Sequence, residues 1–197
     1  MANHKHLEAA EKLAGQQHGV VSREQAVAHG MSIPQIGYRL KRGYWLSVHH
    51  GVYRIRRMTA NTERGRLHSA VKAGQLIAGP AAVAVGETAA RLWGLQGLPP
   101  WRGEVVLAGK RSKTYAGARV RLHSWSIEEN EIQRRNGVRI TTIRRTLRDL
   151  MSTQGRDIAV SLVDSALNRQ AVRGEHLLRE VSATGGRQPD GRLRRSW

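Results

Sequence analysis

Two helix-start signatures in close succession, Ser22-Arg-Glu-Gln25 and Ser32-Ile-Pro-Gln35, constrain this chain more than any other feature. In each, a serine hydroxyl can satisfy an orphan backbone N–H and the glutamine three residues later can reach back to the serine. Gly30, between them, suits the tight turn that joins two crossing helices. After Arg42 and Gly43 the pattern becomes strand-like: Trp45-Leu-Ser-Val48, a turn through His49-His-Gly51, then Val52-Tyr-Arg-Ile55. A two-helix unit followed by a hairpin is the layout of a winged helix-turn-helix, which usually serves to place one helix in the DNA major groove. The expected fold class is therefore α+β. A winged helix-turn-helix occupies residues 1–58, a mixed α/β domain 59–183 and a disordered basic tail 184–197.

Periodicity assigns faces within the first part. Leu7 to Gln17 reads as a first helix with Leu7, Ala10, Leu13 and Ala14 on one side. Ile33, Ile36 and Leu40 are expected to face the core from the second helix of the pair. That leaves Gln35, Tyr38, Arg39 and Arg42 on outer and flanking faces, with Gly43 as the helix stop. In the hairpin, Leu46 and Val48 oppose Trp45 and Ser47, and Val52 and Arg54 oppose Tyr53 and Ile55.

The formal charge of +18 attracts polyanions, nucleic acid first among them. It is not the property of a tail. Basic residues outnumber acidic ones nine to three over residues 1–58, sixteen to seven over 59–149 and eight to five over 150–197. The absence of cysteine excludes disulfides and thiolate metal sites. No apolar run approaches the roughly 20 residues of a membrane span, and the N-terminus lacks a signal-peptide pattern, so a soluble cytoplasmic protein is expected.

The second part reads as helices over Thr62–Ile77 and Ala81–Trp93, strands at Glu104–Leu107 and Ala118–His123, and a strand at Gly137–Thr142 leading to a helix over Ile143–Met151. Helices over Asp157–Arg169 and Gly174–Val181 complete it. Arg119, Arg121 and His123 alternate with Val120 and Leu122, the pattern of a half-buried sheet with a basic outer face.

Several phrases then stand in a telling order: Gly19-Val-Val-Ser-Arg-Glu-Gln-Ala-Val27, Leu40-Lys-Arg-Gly-Tyr-Trp45, His50-Gly-Val-Tyr53, Ala89-Ala-Arg-Leu-Trp-Gly-Leu95 and Thr141-Thr-Ile-Arg-Arg-Thr-Leu-Arg-Asp-Leu150. Between about Leu7 and Leu178 the chain resembles the abortive-infection antitoxins of the AbiEi type. The resemblance implies an N-terminal winged helix-turn-helix on operator DNA and a C-terminal domain linked to antitoxin activity. It also implies repression of the protein's own operon, and antagonism of a nucleotidyltransferase-type toxin in the type IV manner, without a stable complex. Longer relatives carry a restriction-endonuclease-like domain beyond this region, so an alternative is the DNA-targeting module of a nuclease system whose catalytic domain is lost or separately encoded.

The expected DNA contacts are Ser32, Gln35, Tyr38, Arg39, Lys41 and Arg42 on the second helix, with His49, His50, Arg54, Arg56 and Arg57 around the wing. Arg39 suits a bidentate guanine contact and Gln35 an adenine contact. Lys41, Arg54, Arg56 and Arg57 suit phosphates, which supply affinity and salt dependence without sequence information. His49 and His50 would touch phosphate or the minor groove, or simply face solvent. No carboxylate or cysteine lies close enough in sequence to make them a metal site. Arg119, Arg121, Arg144, Arg145 and Arg148 form a candidate second basic surface, although Arg145 and Asp149, four residues apart, also suit a structural ion pair. Gly103–Lys110 fails as a phosphate loop because its glycine spacing is wrong and Arg111 stands where Ser or Thr belongs. With no nuclease, triad or zinc-protease pattern, no catalysis and no cofactor is expected. The partner is duplex DNA carrying an inverted repeat, filled by a homodimer or by monomers binding cooperatively.

Overall fold

The computed structural model describes residues 2–110, 112–115, 119–170 and 172. The chain divides into two compact units, the first running from the N-terminus to Ala81 and the second holding most of the remainder.

The first unit opens with helix α1 (Ala2–Gln16), strand β1 (Val20–Ser22), helix α2 (Arg23–Ala28) and helix α3 (Ile33–Lys41). Strands β2 (Trp45–His49) and β3 (Val52–Ile55) follow, then a 3₁₀ turn (Arg56–Met58) and helix α4 (Glu63–Ala78). The three strands form an antiparallel sheet in the order β1-β3-β2, the winged-helix arrangement.

Both anticipated capping boxes are formed. Gln25 N donates to Ser22 Oγ (3.1 Å) while Ser22 N donates to Gln25 Oε1 (3.0 Å), and Ser32 and Gln35 repeat the exchange. Gln25 also exchanges amide hydrogen bonds with Gln17 at 3.0 and 3.1 Å, tying the start of α2 to the end of α1. Ser22→Ala strips the acceptor from Gln25 N. It is expected to lower stability by about 1 kcal/mol, read as a lower urea midpoint at unchanged slope.

The sheet is covered on both faces. Trp45, Tyr53 and Ile55 turn to one side and pack with Ala10, Ala14, Ala26, Met31 and Ile36. Val20 and Val52, with Val48, turn to the other and meet Ala73, Leu76 and Ile77 of α4. The compact unit thus continues beyond the boundary expected at residue 58, because the back of the wing is apolar and α4 buries it. His4 and His6 lie within α1, and His6 Nδ1 is 3.1 Å from the His29 carbonyl oxygen.

The second unit comprises β4 (Val83–Ala84), α5 (Gly86–Trp93), β5 (Val105–Ala108), β6 (Lys113–Tyr115), β7 (Val120–His123), β8 (Ile132–Arg135), β9 (Val138–Thr141), α6 (Ile143–Thr153) and α7 (Arg156–Asn168). Its strands order as β6-β7-β5-β4-β9-β8, mixing parallel and antiparallel pairs. The single helix expected over Ala81–Trp93 is replaced by a strand and a shorter helix. Val83 and Ala84 pair with Ala108 and Leu107, and Ala84 also pairs with Ile140, so this buried apolar run lies inside the sheet. Helix α5 ends at Gly94 in the left-handed conformation (φ 76°), as its sequence suggests. Leu95, Leu147, Leu150 and Leu162 make the helical core, with Trp93 packed against it and donating its Nε1–H to the Thr141 carbonyl at 3.0 Å. The expected helix over Gly174–Val181 and the tail 184–197 lie outside the described residues.

Candidate nucleic-acid interface

Helix α3 is positioned by a few buried contacts. Ile36 is buried and Leu40 packs on the same core, holding the helix against β2 and α2. Contrary to the sequence expectation, Ile33 is 57 % exposed. It occupies the first turn, directly after the Ser32 cap, and Met31 supplies the apolar side chain that enters the core there. Pro34, Gly37, Tyr38 and Lys41 are exposed as well, so the outward surface of α3 carries one cation flanked by apolar and small residues.

Arginine sits at the edges of that surface. Arg39 is half-buried, its guanidinium 5.4 Å from the Tyr44 ring centroid, in a groove that also takes in Leu7, Glu11 and Arg56. Arg42 lies over the Tyr38 ring at 5.5 Å. Gln35 Oε1 accepts the Ser32 N–H at 2.8 Å, so one of its lone pairs is committed to the cap before any base approaches. Arg56 is exposed, and Arg57 pairs with Glu11 of α1.

The wing is short and braced. Its turn is tied down by Arg23 N donating to the Gly51 carbonyl at 2.7 Å, while Arg23 Nε donates to Tyr53 Oη at 3.0 Å. His50 is exposed at the turn. His49 is half-buried, its Nδ1 has no hydrogen-bond partner among the described residues, and burial lowers its pKa below the ordinary histidine value. It is therefore neutral at pH 7 and adds no charge to the wing. Arg54 is separated from the other expected contacts. Its cross-strand neighbours are Val20 and Leu46, on the sheet face that α4 covers, and its Nε is buried without a partner among the described residues. The structure thus gathers Ser32, Gln35, Tyr38, Arg39, Lys41 and Arg42 on one helix and leaves Arg54 behind the sheet.

The second basic cluster, in the other unit, is largely neutralised. Arg145 is buried, donates through Nε to both Asp149 oxygens (2.8 and 3.0 Å) and through Nη2 to the Ser126 carbonyl (3.1 Å), and also pairs with Glu131. Arg148 pairs with Glu131 too. Burial works against the Glu131 charge, but the two guanidiniums outweigh it and hold its pKa below the usual carboxylate value. Asp149 sits deeper, and burial pushes it up to about 6 despite Arg145. Arg121 is paired with Glu104 at 2.6 Å, and Arg119 Nη1 donates to the Arg102 carbonyl at 2.6 Å. Arg119, Arg121 and Arg144 are exposed, Arg144 in the first turn of α6, whereas Arg145 is buried and Arg148 half-buried. Among the described residues no group of three or more His, Asp or Glu is placed to hold a metal ion, and no helix is long and apolar enough to cross a membrane.

The sequence of the first unit has a counterpart among known protein families. Residues 8–56 match the AbiEi antitoxin family of transcriptional regulators. The match spans α1 to the 3₁₀ turn that follows β3, the winged helix itself, and it supports a DNA-binding antitoxin role. The family is regulatory rather than catalytic. No curated protein matches the chain. What sequence reasoning missed in the AbiEi segment is Ile33 and Gly37 on the outward face of α3. The available signal was the position of Ile33 between an N-cap serine and a proline, at the mouth of the helix where core cover ends.

Proposed function

We propose that this chain is a cytoplasmic autorepressor of its own type IV toxin-antitoxin operon, binding an inverted repeat in duplex DNA through α3 and the wing. The observation that carries this reading is the outward face of α3, capped at Ser32, exposed along its length, ending in Lys41 and followed by Arg42, within a segment matching a family of DNA-binding regulators. Lys41, Arg42, Arg56 and His50 contact phosphate or groove edges, and the helix supplies the base contacts. The second unit serves the antitoxin activity against a nucleotidyltransferase-type toxin, without a stable complex and without catalysis of its own.

A gel-shift titration of the full chain against its own upstream region, with random duplex as competitor at near-physiological salt, tests this. The expected result is a discrete complex on a repeat that survives the competitor and weakens steeply as salt rises. Sequence-blind binding, or preference for structured RNA, would sink the proposal. Arg39→Ala and Arg56→Ala are expected to weaken repeat and random duplex alike, because both side chains lie on the α1 flank of the site. A loss confined to the repeat would instead make that arginine a base reader.

A further inference from the structure

We propose that Ile33 reads thymine methyl groups in the major groove, with Gly37 letting α3 approach the base edges closely. This rests on the duplex-DNA reading above and specifies the kind of sequence that face takes.

Two residue choices on α3 are not required by the fold. The first is Ile33, a large apolar side chain left 57 % exposed on a helix whose Ile36 is buried. The second is Gly37, in the helix interior, where glycine is the poorest helix former after proline. A Cβ built there meets nothing within 4 Å, and the residue is not in the left-handed region, so neither packing nor backbone conformation demands glycine. Spaced four apart, Ile33 and Gly37 lie one turn from each other on the same side of the helix, with Lys41 one turn further on.

A base-reading role explains both. Thymine alone among the bases presents a methyl group to the major groove, and apolar side chains recognise it by contact. An isoleucine on the first turn suits this, since helix N-terminal residues of helix-turn-helix proteins reach the base edges. A bare backbone one turn later removes the side chain that would hold the helix away. The guanidinium that would favour guanine is absent from this strip, Arg39 being half-buried beside Tyr44.

The test begins with duplexes selected by the full chain from a randomised library. The best is then prepared in two forms, with thymine and with uracil, which lacks only the methyl. The wild-type chain is expected to bind the uracil form about fourfold more weakly per contacted methyl. Ile33→Ala is expected to bind both forms equally, at the wild-type level for uracil, with random-duplex affinity unchanged. Gly37→Ala is expected to melt no lower than wild type and still bind the selected duplex more weakly. Equal wild-type binding to both forms, with the selected sequence still preferred over random, would overturn the methyl contact while leaving the operator reading intact. Loss of self-association in Ile33→Ala with thymine discrimination retained would assign the face to a second copy of the chain. Failure of the selection to enrich any sequence would end both this inference and the operator reading.

Discussion

Arg145→Met is expected to cost about 3–5 kcal/mol at pH 8, because it leaves Asp149 buried without its counter-ion and takes one of two cations from Glu131. Methionine keeps the apolar stem, so the loss belongs to the charge network rather than to packing. The pH dependence has a definite sign. A carboxyl whose folded pKa is raised binds its proton more readily when folded, so the stability it contributes grows as pH falls through the window between folded and unfolded values. For Asp149 in the wild type that window lies between about 6 and about 4. Glu131 acts oppositely: its contribution is present above the ordinary carboxylate pKa and is lost as pH falls through the depressed folded value. In Arg145→Met the Asp149 pKa rises further, so the deficit should shrink between pH 8 and pH 5 as the buried carboxyl is neutralised. Urea unfolding of both proteins at the two pH values measures this, and an equal deficit at both would remove Asp149 as its cause.

Trp45→Ala should be comparably damaging to the winged helix, at about 3–5 kcal/mol. The indole is 1 % exposed, pairs across the hairpin with Ile55 and lies 5.9 Å from the Tyr53 ring, among the side chains that seat α3. Its Nε1–H is buried without a hydrogen-bond partner among the described residues. Trp45→Phe keeps most of the aromatic volume and removes that unpaired donor, whose burial costs about 1–3 kcal/mol. The phenylalanine variant should therefore lose far less than the alanine one in thermal or urea unfolding. Sequence-specific DNA binding should follow the same order, since α3 is oriented from beneath by this core. If Trp45→Phe were as damaging as Trp45→Ala, the indole N–H would have to be bonded in solution.

What could be read from the sequence was set by neighbours a few residues apart. The capping boxes at Ser22 and Ser32 form because serine and glutamine three residues on close a local ring of hydrogen bonds, whatever surrounds them. The helix stop at Gly94 and the hairpin through Gly51 rest equally on local conformational preference. The alternation that turns Trp45, Tyr53 and Ile55 away from Val48 and Val52 follows from the two-residue strand period.

Tertiary structure decided the rest, where the determining contact is distant along the chain. Val83 and Ala84 become a strand because Leu107, Ala108 and Ile140 offer them backbone partners. Arg145 leaves the basic surface because Glu131 and Ser126 arrive from another part of the chain to satisfy it alongside Asp149. Arg54 is turned toward the face that α4 covers, which no pattern within the wing reveals. Above all, the helical period places Ile33, Ile36 and Leu40 on one side of α3, but only the reach of its neighbours leaves Ile33 in solvent. Periodicity sets which residues share a face; the extent of the surface packed against that face sets which of them are buried.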